Sequence, residues 1–178
     1  NLETLLAFDS MVDQLERTFR IAPQVIAHDM HPAYLSTQYA LQKAEHKHLV
    51  PVQHHHAHVA ACMAENGLDG SQPVIGVAFD GTGYGTDGAI WGGEFLVADY
   101  AAFRRAAHLA YVPLPGGDTA IRRPYRTALA HLWAAGLSWD EKLAPVQATS
   151  VTERGVIARQ IESGLNAAPT SSIGRLFD

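Results

Sequence analysis

The sequence predicts an α/β protein made of two partial lobes with mixed sheets. In the first half, segments with helical apolar spacing alternate with short β-rich runs, the order typical of parallel strands joined by helices. In the second half, strand-like segments follow one another directly, which predicts an antiparallel meander. A turn-rich stretch at residues 69–73 lies between the two patterns. We therefore assign residues 1–68 to a first lobe and residues 74–178 to a second.

Local signals place the elements of the first lobe. Apolar spacing predicts the helices, Pro23 and Pro32 interrupt the chain, and Asn66-Gly67 is typical of a helix end. Because each helix leads to the next strand, the two strands should be parallel. The predicted elements are, in order, helix Leu2–Phe19, a buried strand at 24–27, a helix at 34–44, a strand at 49–52 and helix His54–Glu65.

The second lobe opens with a predicted buried strand at 74–79, paired antiparallel with a strand at 89–98. A third strand is predicted at 104–112, and two helices at 124–135 and Val151–Ser163. The chain ends as a helix begins, with Ser171 or Ser172 as its N-cap. The chain begins with Asn1 and not with methionine. These two ends lead us to expect a segment of a longer protein.

Composition narrows the class of protein. Among 178 residues, no apolar run approaches the roughly 18 of a membrane span, and no secretory signal is recognisable. The net charge of −5 argues against nonspecific nucleic-acid binding. The single cysteine, Cys62, excludes an internal disulfide and a multi-cysteine zinc module, and it is expected to pack inside its helix. These features favour the cytoplasm.

A histidine cluster at residues 54–58 is the strongest functional signal. In a helix, His54 and His58 lie on one face, where two imidazoles can bind one divalent metal. Asp80 would complete a mixed nitrogen and oxygen site, which suits zinc or iron. His55 points to another face, away from the metal, and is a candidate catalytic residue that contacts substrate or supports the ligands. The alternative is a helix whose histidines cap its start or face solvent.

The stretch Asp80-Gly81-Thr82-Gly83-Tyr84-Gly85 predicts a hairpin turn whose backbone approaches phosphate. It lies between strands, so it is neither a Walker A loop nor a dinucleotide fingerprint, both of which open a helix. Cofactor contacts are expected at Gly81, Thr82, Gly83 and Gly85. The alternative is an ordinary hairpin, in which Asp-Gly pairs are common.

Two further groups of residues are candidates for the same site. Asp29 and His31 follow the first strand, and functional residues gather at strand ends, so we expect them to be catalytic and to face the same cleft as His54. The alternative there is an Asx-type turn. Arg126, with Arg122 and Arg123, offers positive charge for phosphate beside Gly116-Gly117; the alternative is a solvated helix start.

Several motifs together resemble a known family. The segments VQHHHAHVAACMAENGL, VIGVAFDGTGYGTDGAIWGGEFL and PLPGGDTAIRRPYRTALAHL closely resemble the carboxyl-terminal domain of the hydrogenase maturation carbamoyltransferases HypF. That domain is related to the tRNA threonylcarbamoyl transferases, which carry a similar H-x-x-x-H pair. The resemblance covers nearly the whole chain. It implies ribonuclease H-like lobes of the actin-like ATPase superfamily.

The resemblance also implies a reaction. Family members form a carbamoyl-adenylate from carbamoyl phosphate and ATP, and pass the carbamoyl group to the carboxyl-terminal cysteine of the partner HypE in [NiFe]-hydrogenase maturation. By position, it implies that His54, His58 and Asp80 bind metal and that Gly81, Thr82, Gly83 and Gly85 face the nucleotide. The family's later carboxylate ligand and adenosine loop lie beyond Asp178, so the isolated segment should be inactive.

Two other functions compete with this interpretation. One is a docking module that binds metal or nucleotide without chemistry of its own. The other is a metal-dependent hydrolase built on the histidine cluster, which would need a metal-activated water and a nearby general base.

Overall fold

In the computed structural model, which describes residues 2–178 and only the backbone of Leu2, helices and strands alternate through residues 2–54, as predicted. Asn1, where the predicted first lobe begins, lies outside the described residues. The elements of this unit are α1 (Leu2–Phe19), β1 (Val25–Asp29), α2 (Leu35–Gln42) and β2 (His48–Val52). The two strands are parallel, with Val25 opposite His48, so the predicted pairing is confirmed.

The predicted burial of the first strand is wrong. Val25 is 54% exposed, and Leu6, Met11 and Phe19 of α1 also leave most of their surface accessible. The apolar spacing therefore predicted the helix correctly without predicting which of its apolar residues would be covered.

The second unit covers residues 55–178. The division falls just after His54, although His54 is the first residue of a continuous helix. The predicted boundary at 69–73 stays a prediction. The helices are α3 (His54–Glu65), α4 (Asp118–Arg122), α5 (Tyr125–Ala134), α6 (Ala144–Gln147), α7 (Val151–Ser163) and α8 (Ile173–Phe177). The strands are β3 (Val74–Tyr84), β4 (Ile90–Ala98), β5 (Phe103–His108), β6 (Val112–Pro115) and β7 (Ala167–Thr170).

These five strands form one mixed sheet. The antiparallel pairing of β3 with β4 is confirmed, and β5 pairs with the opposite edge of β4. The predicted single strand at 104–112 is wrong: β5 ends at His108, and Val112 opens β6, which pairs antiparallel with β7. β7 also meets β4 in parallel at Ile90 and Thr170. Its sequence, Ala-Ala-Pro-Thr, has no apolar alternation that would predict a strand.

The largest correction concerns the glycine-rich stretch. Residues 80–84 continue strand β3, and the hairpin turn follows at residues 85–89. The pairing shifts between Phe79 and Gly83, which face Gly93 and Trp91, so Asp80, Gly81 and Thr82 stand opposite Gly92 alone. This segment, residues 80–82, is an irregularity in the β3–β4 ladder, and we call it the glycine-rich bulge.

Two apolar clusters support this sheet. One packs β6 against α5, α6 and α7 through residues that include Leu129, Val146 and Ile157. The other packs α3 on β4 through Val59, Met63, Leu96 and Ala98, and so fixes the histidine helix against the sheet.

Strand β3 is buried on one face only, which corrects the prediction of a fully buried strand. Gly76 and Ala78 are buried, whereas Ile75, Val77 and Phe79 are 78%, 51% and 61% exposed. Among the described residues, no helix combines the length and apolarity that crossing a membrane requires.

Candidate metal centre and glycine-rich bulge

Helix α3 turns its histidines to different environments. His58 is exposed and His54 half-buried, whereas His55 and His56 are buried. The His56 ring shares a hydrogen bond of 2.7 Å with the carbonyl of Asp99 and lies against Phe103, so it anchors the helix to the loop after β4. Of the alternative, a helix whose histidines cap its start or face solvent, exposure to solvent holds for His58 and not for His55 or His56.

His54, His58 and Asp80 meet in one place. Each offers one ligand atom, and these atoms all lie within 4.8 Å of one another. The helix itself sets the first two side by side, since they are one turn apart. Asp80 comes from the bulge in β3. Two imidazoles and a carboxylate form a donor set that suits zinc or iron, with positions left for other ligands. We call these residues the candidate triad.

Asp29 contacts His54. One carboxylate oxygen, Oδ2, lies 2.9 Å from His54 Nδ1, and the other, Oδ1, accepts the backbone N–H of His31 at 2.7 Å. The second bond is the Asx-type turn weighed in the sequence analysis. Metal-binding histidines commonly donate their second ring nitrogen to a carboxylate in this way. Asp29 is thus placed to orient a ligand, and the catalytic roles of Asp29 and His31 stay predictions.

His55 lies beside the bulge, so the expectation that it points away from the metal centre is wrong. Its side chain is fully buried, and Nε2 is 3.7 Å from Asp80 Oδ2. A Cβ added to Gly83 would stand 2.3 Å from the imidazole Cε1. Burial suits His55 to supporting Asp80, and its catalytic role stays a prediction.

Close packing explains the two glycines that follow the bulge, Gly83 at the end of β3 and Gly85 at the start of the turn. Gly83 gives room to His55, and a Cβ at Gly85 would stand 2.3 Å from Trp91 Nε1. Both glycines are buried. Gly81 and Thr82 are half-buried, and the Gly81 N–H donates to Asp80 Oδ1 at 2.6 Å. Nucleotide contacts at these four residues stay predictions.

A buried carboxylate that no sequence pattern predicted, that of Glu94, lies behind the bulge. Glu94 is fully buried and accepts the N–H groups of Gly92 and Gly93, the hydroxyl of Ser171 and the Nε–H of Arg105, the last at 2.6 Å. Burial alone would raise the pKa of Glu94, but these hydrogen bonds hold it below its usual value. The signal in the sequence was a charged residue among the apolar residues and glycines of the predicted strand at 89–98.

Arg126 does not point to open space. Its Nε–H donates to the carbonyl of Pro115 at 2.9 Å, and its two NH groups donate to Glu153 and Gln160 at 2.7 and 2.6 Å. The side chain is 7% exposed, so the expectation of a phosphate-binding Arg126 conflicts with its burial and its contacts. Its neighbours Arg122 and Arg123 are exposed.

Cys62 is exposed, so the prediction that it packs inside its helix is wrong. It lines a groove with His58 of the same helix, with Asn66 just after that helix and with residues of β3.

The chain matches two models of one protein family. Residues 76–178 match the model described as the second subdomain of a carbamoyltransferase Kae1-like domain, and residues 1–65 match the HypF Kae1-like domain. This chain belongs to the HypF carbamoyltransferase family. The resemblance seen in the sequence is therefore confirmed.

Individual HypF proteins show the same relationship. Carbamoyltransferase HypF2 of Cupriavidus necator is 44% identical over 181 residues, which cover 100% of this chain and 22% of that protein. A crystal structure of full-length HypF in a phosphate- and nucleotide-bound form matches with a TM-score of 0.82 at 47% identity, covering 96% of this chain and 22% of that one.

HypF of T. kodakarensis matches with a TM-score of 0.72 at 39% identity, covering 86% of this chain and 21% of that one. The chain thus spans about a fifth of these relatives. These structural matches agree with the ribonuclease H-like fold of the family and with the α/β architecture described above.

Proposed function

We propose that this chain is part of an ATP-dependent carbamoyltransferase of hydrogenase maturation. In this proposal it supplies the site where a carbamoyl group passes from carbamoyl-adenylate to the carboxyl-terminal cysteine of a HypE-like acceptor. The observation that carries the proposal is the candidate triad, whose ligand atoms lie within 4.8 Å of one another beside the glycine-rich bulge.

The residues present fit a divalent metal. His54 Nδ1 is hydrogen-bonded to Asp29, so this histidine would bind the metal through Nε2. His58 and Asp80 would supply the other two protein ligands. Zinc and iron both accept such a set. When bound, the metal would supply positive charge beside the phosphate of the adenylate.

The remaining steps use groups of the chain and of its proposed substrates. The bulge presents backbone next to Asp80, where Gly81 and Thr82 would contact the nucleotide phosphate. The thiol of the acceptor cysteine gives its proton to solvent, and its sulfur forms a bond to the carbamoyl carbon. The bond from that carbon to the phosphate oxygen breaks, and AMP leaves with the electron pair. Cys62 has no part in this transfer.

Other parts of the complete protein would make the carbamoyl-adenylate from carbamoyl phosphate and ATP. A protein nearly five times the length of this chain has room for that chemistry, since the chain covers 22% of HypF2. A cytoplasmic location belongs to the same proposal and rests on the single cysteine.

Replacing His58 by alanine in the complete protein tests the proposal. We expect loss of carbamoyl transfer to the acceptor cysteine, measured by mass spectrometry, together with unchanged ATP–pyrophosphate exchange. His108→Ala is the matched control, because His108 is exposed and lies outside the candidate triad.

The same measurements separate the alternatives. Normal acceptor carbamoylation by a folded His58→Ala protein would reject the role of the triad. A wild-type protein that binds metal but carbamoylates nothing would support the docking module. Ester hydrolysis without ATP would support the hydrolase.

A further inference from the structure

The carbonyl groups of the glycine-rich bulge meet a buried serine from a distant part of the chain. Ser172 is 4% exposed, and its Oγ lies 2.9 Å from the carbonyl oxygen of Asp80 and 2.8 Å from that of Gly81. The hydroxyl proton is donated to these two acceptors. Its oxygen accepts the N–H of Arg175 at 3.1 Å, so the same side chain is the N-cap of α8.

The bulge itself creates the need for such a donor. Between Phe79 and Gly83 the β3–β4 register shifts, and three residues of β3 stand opposite Gly92 alone. The shift takes Asp80 out of the regular pairing register of the strand. Ser172 donates to the half-buried carbonyls of Asp80 and Gly81 and so ties this irregular segment to the rest of the fold.

Close backbone packing holds Ser172 in place. A Cβ on Gly92 would stand 2.4 Å from the Asp80 carbonyl and 2.9 Å from Ser172 Cα. A Cβ on Gly174 would stand 2.7 Å from Gly81 Cα. The Ser172 N–H also donates to Thr170 Oγ1 at 3.1 Å. These contacts fix the position of the hydroxyl within the fold.

From these contacts we infer that Ser172 is a positioning residue that sets the Asp80 carboxylate for metal binding by holding the bulge backbone. The inference rests on the proposed metal site. Removing the hydroxyl takes one donor away from these two carbonyls and lets Asp80 move relative to His58. Partners that orient a ligand in this way commonly change metal affinity by about 10- to 100-fold.

Cobalt(II) titration of the complete protein tests this inference. Ser172→Ala should bind cobalt at least about tenfold more weakly than wild type and show an altered visible spectrum, because an oxygen ligand is displaced. Ser171→Ala is the matched control: Ser171 is equally buried, but its hydroxyl donates to Glu94 and not to the bulge. Circular dichroism checks that each variant is folded.

Each result decides the question. Wild-type affinity and spectrum in a folded Ser172→Ala protein would overturn the positioning role while leaving the metal site intact. Equal weakening by Ser171→Ala would overturn it too. Failure of the wild type to bind cobalt would remove both the metal site and this inference.

Hydrogen exchange of the wild type covers the case in which Ser172→Ala does not fold. We expect the amides of residues 80–82 to be protected already without metal. Protection that appears only after metal is added would show that the metal orders the bulge, and would overturn the inference.

Discussion

Gly83 shows how one missing side chain shapes the candidate site. The His55 ring is fully buried and occupies the space that a Cβ on Gly83 would need, with Cε1 2.3 Å from that position. A side chain at Gly83 would therefore meet a packed imidazole and not an open cleft. A larger residue must push the imidazole out of its packed position, and Asp80 lies next to that ring.

Gly83→Ala should lower the free energy of unfolding by about 1–3 kcal/mol, because it overpacks a buried position. The matched control is Gly155→Ala in α7, where nothing lies within 4 Å of the added Cβ. That change should stabilise by about 0.5–1 kcal/mol, since alanine favours a helix interior over glycine. Urea denaturation measures both; equal effects of the two substitutions would contradict the packing argument.

At the scale of elements, hydrogen bonds of Asp87 connect the turn between β3 and β4 to strand β5 and to the loop that follows β5. Its carboxylate accepts the N–H of Ala89 at 3.1 Å and the indole N–H of Trp91 at 2.8 Å. Arg105 and Tyr111 donate to its other oxygen. Burial alone would raise the pKa of Asp87, but these donors lower it to about 2.

The pKa of Asp87 predicts a stability change in acid. Because it is lower in the folded chain, about 2 against an ordinary 3.8, the stabilisation is present above pH 3.8 and is lost as the pH falls through 2. Asp87→Asn should therefore lower the unfolding free energy at pH 5 and flatten its fall between pH 4 and pH 2 relative to wild type.

Tyr111→Phe removes one donor to Asp87 and serves as the graded comparison. It should raise the pKa of Asp87 partway and move the acid transition to higher pH. Stability curves that stay parallel for wild type and Asp87→Asn across this range would show that Asp87 is not the group responsible.

For the whole molecule, a ligand that binds only the folded chain must stabilise it. If the candidate triad binds zinc, a metal concentration of about 100 times Kd should raise the unfolding free energy by about 2.7 kcal/mol. Thermal unfolding with and without zinc measures this shift. Magnesium should stabilise much less, because it prefers an all-oxygen octahedron over imidazole.

His58→Ala should lose the shift caused by zinc, and His108→Ala should keep it. A shift of the same size in His58→Ala would place the binding elsewhere on the chain.

The sequence by itself determined most of the secondary structure. Helical spacing gave α1, α3 and α7 with their exact bounds, since an amphipathic repeat and its end signals are local. The spacing of His54 and His58 also placed them on one helix face without knowledge of the rest of the chain.

Only the tertiary structure decided what surrounds those residues. The bulge, the burial of His55, the internal bonds of Arg126 and the contacts of Asp29 and Ser172 depend on segments far apart in the sequence. Strand β7, with no apolar alternation of its own, exists because β4 and β6 accept it as a partner. Local patterns fix backbone periodicity, but register shifts, burial and long-range hydrogen bonds arise only when the elements pack.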